Sequence, residues 1–444
     1  MRVLQSILFS VACASAALAD GPFLFGPPTT ITFKTPHGPA MVAAGDLDGD
    51  GDLDLVVPGR NNEGIAYVVL NDDGAFATPV GIEIGTQCDW VEIADIDNDS
   101  HADLVFALRS NHGRIVILWG RGNGTFEEER LVLRLQREPR CVAVADFNGD
   151  GQLDLAAANY GSSSIQTFLS IGNRTFAKPA TSLIAQELIG TNSLQSVRAG
   201  DLDGDGLPDL AAVTIGSSHL YMLRNRGDGT FGIPEGWKAP QLLGETGGIT
   251  SLALGDLDND GDLEATVPLI FLGSPSQFGV FENNGEMSVA SRLTFDVATV
   301  GYAFSLGLGD LDGDGDLDSV VGCAIPGSIK VLDNRTSEST GIMFEPPQTV
   351  TQDSFIRGLV CADMDDDCDL DIVAVDFVSN SVFVLWNLTP QENGCGGSPF
   401  TGEAMVLEQR QQREESEAIE DLNGDGVING GDLAITLAQQ GGGR

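Results

Sequence analysis

The sequence predicts an all-β protein, a seven-bladed β-propeller of four-stranded blades, followed by a small α-helical calcium-loop module at the C-terminus. Three observations lead to this prediction. An acidic motif of the form Asp-x-Asp-x-Asp-Gly-x-x-Asp recurs seven times, short strand-like runs fill the residues between the copies, and a different acidic motif lies near the end of the chain. A regular long period indicates a repeat architecture in which each unit packs on its neighbours.

The seven motif copies share one register. They begin 49, 51, 55, 55, 54 and 53 residues apart, at Asp46, Asp95, Asp146, Asp201, Asp256, Asp310 and Asp363. Positions 1, 3, 5 and 9 carry side-chain oxygens, position 7 offers a backbone carbonyl, and Gly51 allows the first copy to turn. Calcium prefers roughly six to eight oxygen ligands in such a loop. A single acidic run is usually solvated surface, whereas seven copies in one register favour metal binding.

The predicted metal ligands follow the same frame in every copy. They are Asp46, Asp48, Asp50, Asp52 and Asp54; Asp95, Asp97, Asp99, His101 and Asp103; Asp146, Asn148, Asp150, Gln152 and Asp154; Asp201, Asp203, Asp205, Leu207 and Asp209; Asp256, Asp258, Asp260, Asp262 and Glu264; Asp310, Asp312, Asp314, Asp316 and Asp318; and Asp363, Asp365, Asp367, Asp369 and Asp371. Ser100 and Cys368 replace the turn glycine in copies two and seven, and Asn148 removes a charge in copy three. We expect these three sites to bind more weakly.

Each period contains four strand-like runs. In the first copy they are Ala40 to Gly45, Leu53 to Pro58, Ile65 to Leu70 and Phe76 to Ile82, separated by Asn-, Asp- and Gly-rich turns. Short strands bounded by such turns are typical of all-β repeats. Units of this size arranged radially make a propeller with short, protected edges. Seven periods therefore predict seven blades, with calcium as the cofactor and about seven ions in the propeller.

The seventh period lacks an outer strand after Val382 to Leu388. The segment from Phe25 to Ile31 (Phe-Gly-Pro-Pro-Thr-Thr-Ile) matches Phe344 to Val350, which occupies the fourth-strand position of the sixth period. A ring needs its last blade joined to its first. We therefore predict that the N-terminal segment supplies the fourth strand of blade seven.

The repeats resemble a known family. Loops of this kind, with turns such as Asn123-Gly124-Thr125-Phe126 and Gly227-Asp228-Gly229-Thr230-Phe231, are similar to FG-GAP or VCBS-type repeats, which form the propeller of integrin alpha subunits. The similarity covers roughly residues 22 to 390. It implies the fold and the calcium loops, while function transfers poorly between proteins that share a fold.

The N-terminus reads as a secretory signal. Residues 1–19 carry Arg2, an apolar run and Ala17-Leu18-Ala19 before Asp20, a small-residue cleavage site. The run is too short to span a membrane, so we expect a propeller of residues 20–390 that is secreted or associated with the cell surface, with no transmembrane segment. Cys13 leaves a lipoprotein alternative, although the leucine usual three residues earlier is absent.

The C-terminal residues change character. A linker over 391–418 leads to residues 419–444, where a loop offers Asp421, Asn423, Asp425, the Val427 carbonyl, Asn429 and Asp432 at EF-hand spacing. Aspartate at position 12 resembles a dockerin repeat. Dockerins normally carry two loops and this chain has one, so a cohesin-like partner and a surface-attachment partner both stay open. One further ion is expected here.

Charge and cysteines narrow the function classes. The formal net charge of −42 opposes compaction unless cations neutralise it, and nucleic acid is excluded as a partner because its phosphates demand a basic face. In an exported chain cysteines can pair. Cys88 with Cys141, and Cys323 with Cys361 or Cys368, are candidate pairs, with Cys395 also available and free buried thiols the alternative.

The face opposite the metal loops differs from the rest of this acidic chain, since arginines and aromatic residues collect there. Such residues are favoured at recognition surfaces. The candidate ligand-binding residues are Arg60, Trp90, Arg109, His112, Arg137, Arg140, Tyr160, Tyr302, Phe304, Phe355 and Arg357. Ordinary loop and blade-packing roles are the alternative reading.

None of the four histidines lies in a recognisable catalytic motif. We therefore expect a secreted calcium-binding propeller that acts as a non-catalytic binding or adhesion module for a protein or polysaccharide, and the arginine-rich face favours an acidic ligand. The alternative is a carbohydrate-active enzyme or accessory protein of polysaccharide breakdown, attached through its dockerin-like tail.

Overall fold

The computed structural model describes residues 22–34, 37–61, 63–110, 113–135, 137–160, 162, 164–183, 193–215, 219–233, 249–269, 276–298, 302–324, 327–336, 341–352 and 354–391. The secondary-structure elements assigned within these ranges are all β-strands. The expected signal segment, most of the linker and the helical calcium-loop module lie outside the described residues. The part of the chain that the structure describes contains no helix long and apolar enough to cross a membrane.

Within the described ranges, twenty-eight strands form seven antiparallel four-stranded sheets, as predicted. The first strands of blades 1 to 7 are β2 (Ala43–Gly45), β6 (Cys88–Ala94), β10 (Pro139–Ala145), β14 (Ser193–Gly200), β18 (Ala253–Gly255), β22 (Ala303–Gly309) and β26 (Ile356–Ala362). The second strands are β3 (Asp54–Pro58), β7 (Asp103–Leu108), β11 (Asp154–Asn159), β15 (Asp209–Ile215), β19 (Glu264–Leu269), β23 (Asp318–Ala324) and β27 (Asp371–Asp376).

The third strands are β4 (Ile65–Val69), β8 (Arg114–Gly120), β12 (Ser164–Phe168), β16 (Leu220–Asn225), β20 (Ser276–Asn283), β24 (Gly327–Leu332) and β28 (Ser381–Leu385). The fourth strands are β5 (Val80–Glu83), β9 (Phe126–Arg134), β13 (Ala180–Leu183), β17 (Phe231–Gly232), β21 (Val289–Ala298), β25 (Gln348–Gln352) and, in blade 7, β1 (Thr29–Thr32). In blade 1 the fourth strand begins at Val80, later than the predicted Phe76. Pro79 precedes it and has no N–H to donate to a strand ladder.

The N-terminal segment closes the ring, which confirms the prediction from the matched sequences. Strand β1 pairs antiparallel with β28, from Thr29 opposite Val384 to Thr32 opposite Ser381. Phe25 also bridges to Asn387, as Phe344 bridges to Asn334 in blade 6. The two matched segments therefore occupy equivalent places in their blades.

The hydrophobic core of the described part of the chain is divided into seven clusters, one between each pair of neighbouring blades. One cluster joins blade 7 to blade 1 through Ile31, Val42, Leu55 and Val373, and six others join the remaining neighbours around the ring. Packing between sheets removes the apolar faces from water, so each blade depends on both of its neighbours.

A small residue ends each first strand. At Gly45 a Cβ would lie 2.9 Å from the Ile93 side chain of the next blade, and Gly309 stands equally close to Leu370. Glycine or alanine at this place lets a large side chain of the following blade reach the inner strand. The close approach is a packing requirement that the motif itself does not show.

The described cysteines do not form the proposed pairs. Cys88, Cys141, Cys323 and Cys361 are buried and not disulfide-bonded, because they belong to four different clusters between blades. Cys368 is disulfide-bonded. The candidate pairings of Cys88 with Cys141 and of Cys323 with Cys361 or Cys368 are therefore wrong, and the alternative of buried thiols is confirmed for Cys88, Cys141, Cys323 and Cys361. Cys395 lies outside the described residues.

Candidate metal loops and axial cavity

The acidic loops join the first and second strands of each blade and wrap around their own first aspartate. In blade 1, Asp46 accepts backbone hydrogen bonds from Gly49 at 2.7 Å and Gly51 at 3.2 Å. Gly51 has φ of 102°, in the left-handed region that favours glycine. The oxygens of the loop thus face its centre rather than an extended surface.

The two non-glycine replacements keep the same turn. Ser100 and Cys368 have φ of 69° and 74°, and their N–H groups donate to Asp95 and Asp363 as Gly51 donates to Asp46. These residues adopt a conformation that costs free energy outside glycine. The loop shape is therefore retained in copies two and seven, while weaker cation binding there stays a prediction.

The ninth-position carboxylate begins the second strand and is buried in every blade. Asp54 accepts hydrogen bonds from Leu47 N at 2.9 Å and Asn71 N at 2.8 Å, one on each oxygen. The same pair of bonds holds Asp103, Asp154, Asp209, Glu264, Asp318 and Asp371. This acid ties the loop to the end of the third strand, a structural role that the motif analysis missed. Each oxygen retains a second lone pair for a cation.

Burial raises the pKa of these carboxyl groups, to about 6 for Asp54, about 7 for Asp154 and about 8 for Glu264. Desolvation disfavours the charged form when no cation balances it. The ninth-position acid therefore carries an electrostatic cost that a bound cation would remove.

Groups of three loop acids come close enough to share one cation. Their ligand oxygens lie within 4.8 Å of one another in the groups Asp46, Asp48 and Asp50; Asp95, Asp97 and Asp99; Asp201, Asp203 and Asp209; Asp256, Asp258 and Glu264; and Asp310, Asp312 and Asp318. Clustered carboxylate oxygens are the donors that a hard cation such as Ca²⁺ takes. These clusters could hold metal ions. The seventh-position carbonyls and the remaining ligands stay predictions.

Some carboxylate oxygens of the loops have no hydrogen-bond partner among the described residues. Such oxygens indicate whether a cation would fit the loop. Asp48 Oδ1, Asp258 Oδ1 and the Oδ1 atoms of Asp363, Asp365 and Asp369 are buried without a hydrogen-bond partner among the described residues. Asp203 Oδ2 in blade 4 also lacks a hydrogen bond, but Arg224 lies 2.6 Å from it. Buried polar atoms are nearly always paired, and an unpaired carboxylate oxygen is especially costly. The residues of blades 1, 5 and 7 therefore fit a cation well.

In other blades an arginine side chain contacts the loop acids. Arg335 lies 2.8 Å from Asp314 and 3.4 Å from Asp312. Arg224 lies 2.6 Å from Asp203, and Arg174 of blade 3 reaches Asp97 and Asp99 of blade 2. Sequence reasoning did not find these contacts, because the arginines lie outside the motif.

At the opposite end of the first strands an axial cavity of about 100 Å³ opens on the propeller axis. Of the predicted ligand-binding residues, Trp90, Arg140, Phe304 and Arg357 line it. Arg198 also lines it, with its guanidinium 4.2 Å from the Trp90 ring centre. Sequence reasoning missed Arg198, although it lies in a first strand as Arg140 and Arg357 do.

The remaining predicted face residues lie around this cavity or at its rim. Arg60 and Arg109 contact Asp89 at 2.6 Å and 3.9 Å, and the Arg140 guanidinium lies 4.2 Å from the centre of the Tyr160 ring. Phe355 packs between Phe304 and Phe377. Tyr302 is half-buried and Arg137 is exposed, while His112 lies outside the described residues.

This geometry defines a class of protein: a β-propeller with acidic loops on one face and an arginine-lined cavity on the other. The comparison with family models agrees. A model described as an FG-GAP-like repeat matches residues 15–57, 95–157, 146–212 and 201–267. The chain thus carries FG-GAP-like repeats, which here form a seven-bladed β-propeller, and the same loop geometry continues in blades 6 and 7. No curated protein matches the chain.

Proposed function

We propose that this chain is a secreted, calcium-stabilised binding module, without catalytic activity of its own, whose axial cavity and surrounding face bind an acidic polysaccharide or protein. The observation that supports it most is the gathering of arginines at this end of the propeller in a chain of net charge −42. Charge of one sign concentrated in a cleft attracts ligands of the opposite sign.

Three arginines share two acids at the mouth of the cavity. Arg140 Nη1 lies 2.8 Å from Asp89 and its Nη2 lies 3.6 Å from Glu138. Arg109 donates to Glu138 at 2.6 Å, and Arg60 contacts Asp89. Burial and the neighbouring guanidinium groups lower the pKa of Arg60 although Asp89 opposes the shift. Positive charge exceeds negative charge here, which favours an added anion.

Arg140 is held ready for such an anion. Its side chain is 9% exposed, and its Nε has no hydrogen-bond partner among the described residues. Contacts with Asp89, Glu138 and Tyr160 restrain the guanidinium before any ligand arrives. A restrained guanidinium loses little entropy when it binds a carboxylate or sulfate.

Arg357 adds an aromatic platform on another part of the ring. Its guanidinium lies 5.1 Å from the Phe304 ring centre and 5.4 Å from that of Phe377, and no carboxylate of the described residues pairs with it. Ser305 lines the same cavity, and its hydroxyl is buried without a hydrogen-bond partner in the described part of the chain. Cationic, aromatic and hydroxyl groups together suit an acidic sugar.

The lining favours binding over hydrolysis. Asp89 is the single carboxylate among the described residues that line the cavity, and it is ion-paired with arginines. Glycosidases commonly use two carboxylates on opposite sides of the scissile bond. The alternative, an enzyme or accessory protein of polysaccharide breakdown, is supported by the dockerin-like loop at Asp421 to Asp432 and predicts binding of that tail to a cohesin-like module.

The test is binding of the full chain, in calcium, to a polyuronate, to dextran sulfate and to neutral dextran. We expect the triple variant R137Q/R140Q/R357Q to bind the acidic polymers at least ~10-fold more weakly, about 1.4 kcal/mol. The matched control R121Q/K178Q/R226Q removes the same charge from turns on the metal-loop face and should bind normally.

Because Arg140 is buried, the double variant R137Q/R357Q repeats the test without disturbing the Asp89 ion pairs. Equal affinity of the folded triple variant and the control would overturn the assignment of this face. Wild-type binding to neutral dextran as strong as to the acidic polymers would overturn the acidic ligand.

A further inference from the structure

The seven acidic loops are alike in sequence but unlike in their surroundings. Three of them, in blades 2, 4 and 6, have an arginine in contact with the ligand carboxylates. Three others, in blades 1, 5 and 7, contain carboxylate oxygens that are buried without a hydrogen-bond partner among the described residues. The blade 4 loop has both features, because Asp203 Oδ2 is buried without a hydrogen bond although Arg224 lies 2.6 Å from it. The presence of an arginine is therefore what separates the two groups.

Arg335 gives the clearest case. The two terminal nitrogens of its guanidinium lie 2.8 Å from Asp314 Oδ2, 3.4 Å from Asp312 Oδ2 and 2.6 Å from Asp333 Oδ2. Asp312 and Asp314 occupy positions 3 and 5 of the blade 6 loop, the places where a cation would take side-chain oxygens. Asp333 adds a third acid, so one guanidinium serves three carboxylates.

Arg174 reaches its loop from the neighbouring blade. It lies in the turn between the third and fourth strands of blade 3 and contacts Asp97 and Asp99 in the blade 2 loop. Its Nη1 donates to Glu127 at 2.9 Å, and the guanidinium lies 4.7 Å from the Trp119 ring centre. Several contacts hold it over positions 3 and 5 of the loop.

Arg224 contacts Asp203, the position 3 acid of blade 4, at 2.6 Å. The Asp203 side chain is 3% exposed while that of Arg224 is 49% exposed. The arginine therefore lies over the loop from the solvent side. In blade 3 the repulsion between loop acids is reduced in another way. Asn148 replaces the acid at position 3, and its side-chain amide donates a hydrogen bond to Asp150 at 3.1 Å.

The blade 7 loop has the opposite environment. There the turn of blade 1 brings Asp73 near Asp365, a like charge, and Gly74 packs beside the same residue. Asp363, Asp365 and Asp369 each keep an unpartnered buried oxygen. A like charge and three unsatisfied oxygens therefore meet in a loop that no arginine of the described residues contacts.

We infer that Arg174, Arg224 and Arg335 are built-in counter-ions of the blade 2, 4 and 6 loops, and that Ca²⁺ binds tightly in the loops of blades 1, 5 and 7. A guanidinium donates directed hydrogen bonds to carboxylates, and a cation entering the same loop must displace it and leave it unpaired. Calcium affinity in the arginine loops is therefore reduced. This division differs from the one based on Ser100 and Cys368, since blade 7 belongs to the tight class.

The experiment is calorimetric titration of CaCl₂ into the chelator-stripped full chain, with Asp421→Asn present throughout to silence the tail loop. We expect about three tight sites, with the arginine loops at least ~10-fold weaker. R174Q and R335Q should each add one tight site, whereas R121Q, an exposed arginine in a turn on the same face, should add none. D365N should remove one tight site.

A second readout separates this effect from misfolding. In excess chelator R335Q should melt below the wild type, because its carboxylates lose their counter-ion, and calcium should restore the melting temperature to the wild-type value. Seven equivalent sites in the wild type would overturn the inference. So would R335Q and R174Q variants that fold in calcium and bind the same number of ions as the wild type. Neither outcome depends on the proposed acidic ligand.

Discussion

The side-chain amide of Asn71 donates to the carbonyl of Met364 at 2.8 Å and to that of Leu53 at 3.2 Å. Met364 belongs to the acidic loop of blade 7 and Asn71 follows the third strand of blade 1. This residue therefore joins the first blade to the last, beside the strand pairing of β1 with β28. Asn225, Asn283, Asn334 and Asn387 make the corresponding contact with the preceding blade.

In blade 2 a different donor forms the hydrogen bond to the carbonyl of the preceding blade. This blade has Gly120 in place of the asparagine, and the N–H of Gly124 donates instead to the Leu47 carbonyl at 2.8 Å. These carbonyls follow the first acid of each loop. The hydrogen bonds between blades therefore also fix each loop relative to the next blade. The ring and the candidate metal sites thus depend on the same hydrogen bonds.

Replacing Asn387 by alanine should destabilise the protein by about 1–3 kcal/mol, since it leaves the buried carbonyls of Leu311 and Leu370 without this donor. The measurement is denaturant unfolding in calcium. Asn123→Ala, in an exposed turn, is the control and should change stability by less than about 0.5 kcal/mol. Equal effects of the two changes would show that the hydrogen bonds of Asn387 to the preceding blade do not contribute to the free energy of unfolding.

Replacing Asp154 by asparagine should cost about 1–3 kcal/mol. An amide has one accepting oxygen, so the N–H of Phe147 or of Ser170 loses its partner. Asp72→Asn, at an exposed position, is the matched control. A variant with the wild-type unfolding free energy would contradict the structural role of the ninth position.

The chelated protein should become less stable as pH rises. Burial raises the pKa of Asp154 to about 7 and of Asp371 to about 8 in the folded state, whereas the unfolded values are near 4. A raised folded pKa contributes stability below the unfolded pKa, and this is lost as pH rises through the folded pKa. The melting temperature in chelator should therefore fall between about pH 4 and pH 8.

Saturating calcium should remove most of that fall, because a bound cation favours the ionised carboxylates and binds the folded state. Thermal melts at matched ionic strength, with and without calcium, make the comparison. Parallel pH profiles in the two conditions would mean that cations do not occupy the loops.

Truncating Ile31 to alanine should cost about 2–4 kcal/mol, because its buried side chain packs in the cluster that joins blades 7 and 1. Leu24→Ala is the control, since Leu24 is 50% exposed. The measurement is the unfolding free energy, with limited proteolysis at the N-terminus as a second readout. An unaffected Ile31→Ala variant would mean that β1 contributes little to ring closure.

The predictability of this protein differs between its two faces. The acidic loops could be recognised because their residues are close in sequence and their spacing is the one that a single cation site requires. The asparagine that follows the third strand recurs as well, at Asn71, Asn225, Asn283, Asn334 and Asn387, and its spacing from the ninth-position acid is a signal that was available but not used. By contrast, Arg174 acts on a loop about 75 residues earlier, and no local pattern indicates that contact.

The sequence by itself determined the number of blades, the loop geometry and the closing strand, because repeats of one local pattern must stack on one another and a ring must bury its last edge. Only the tertiary structure decided which loops receive an arginine, which thiols stay apart and which arginines meet at the axis. Those properties depend on residues from different blades, whose proximity arises when the sheets pack into a closed ring.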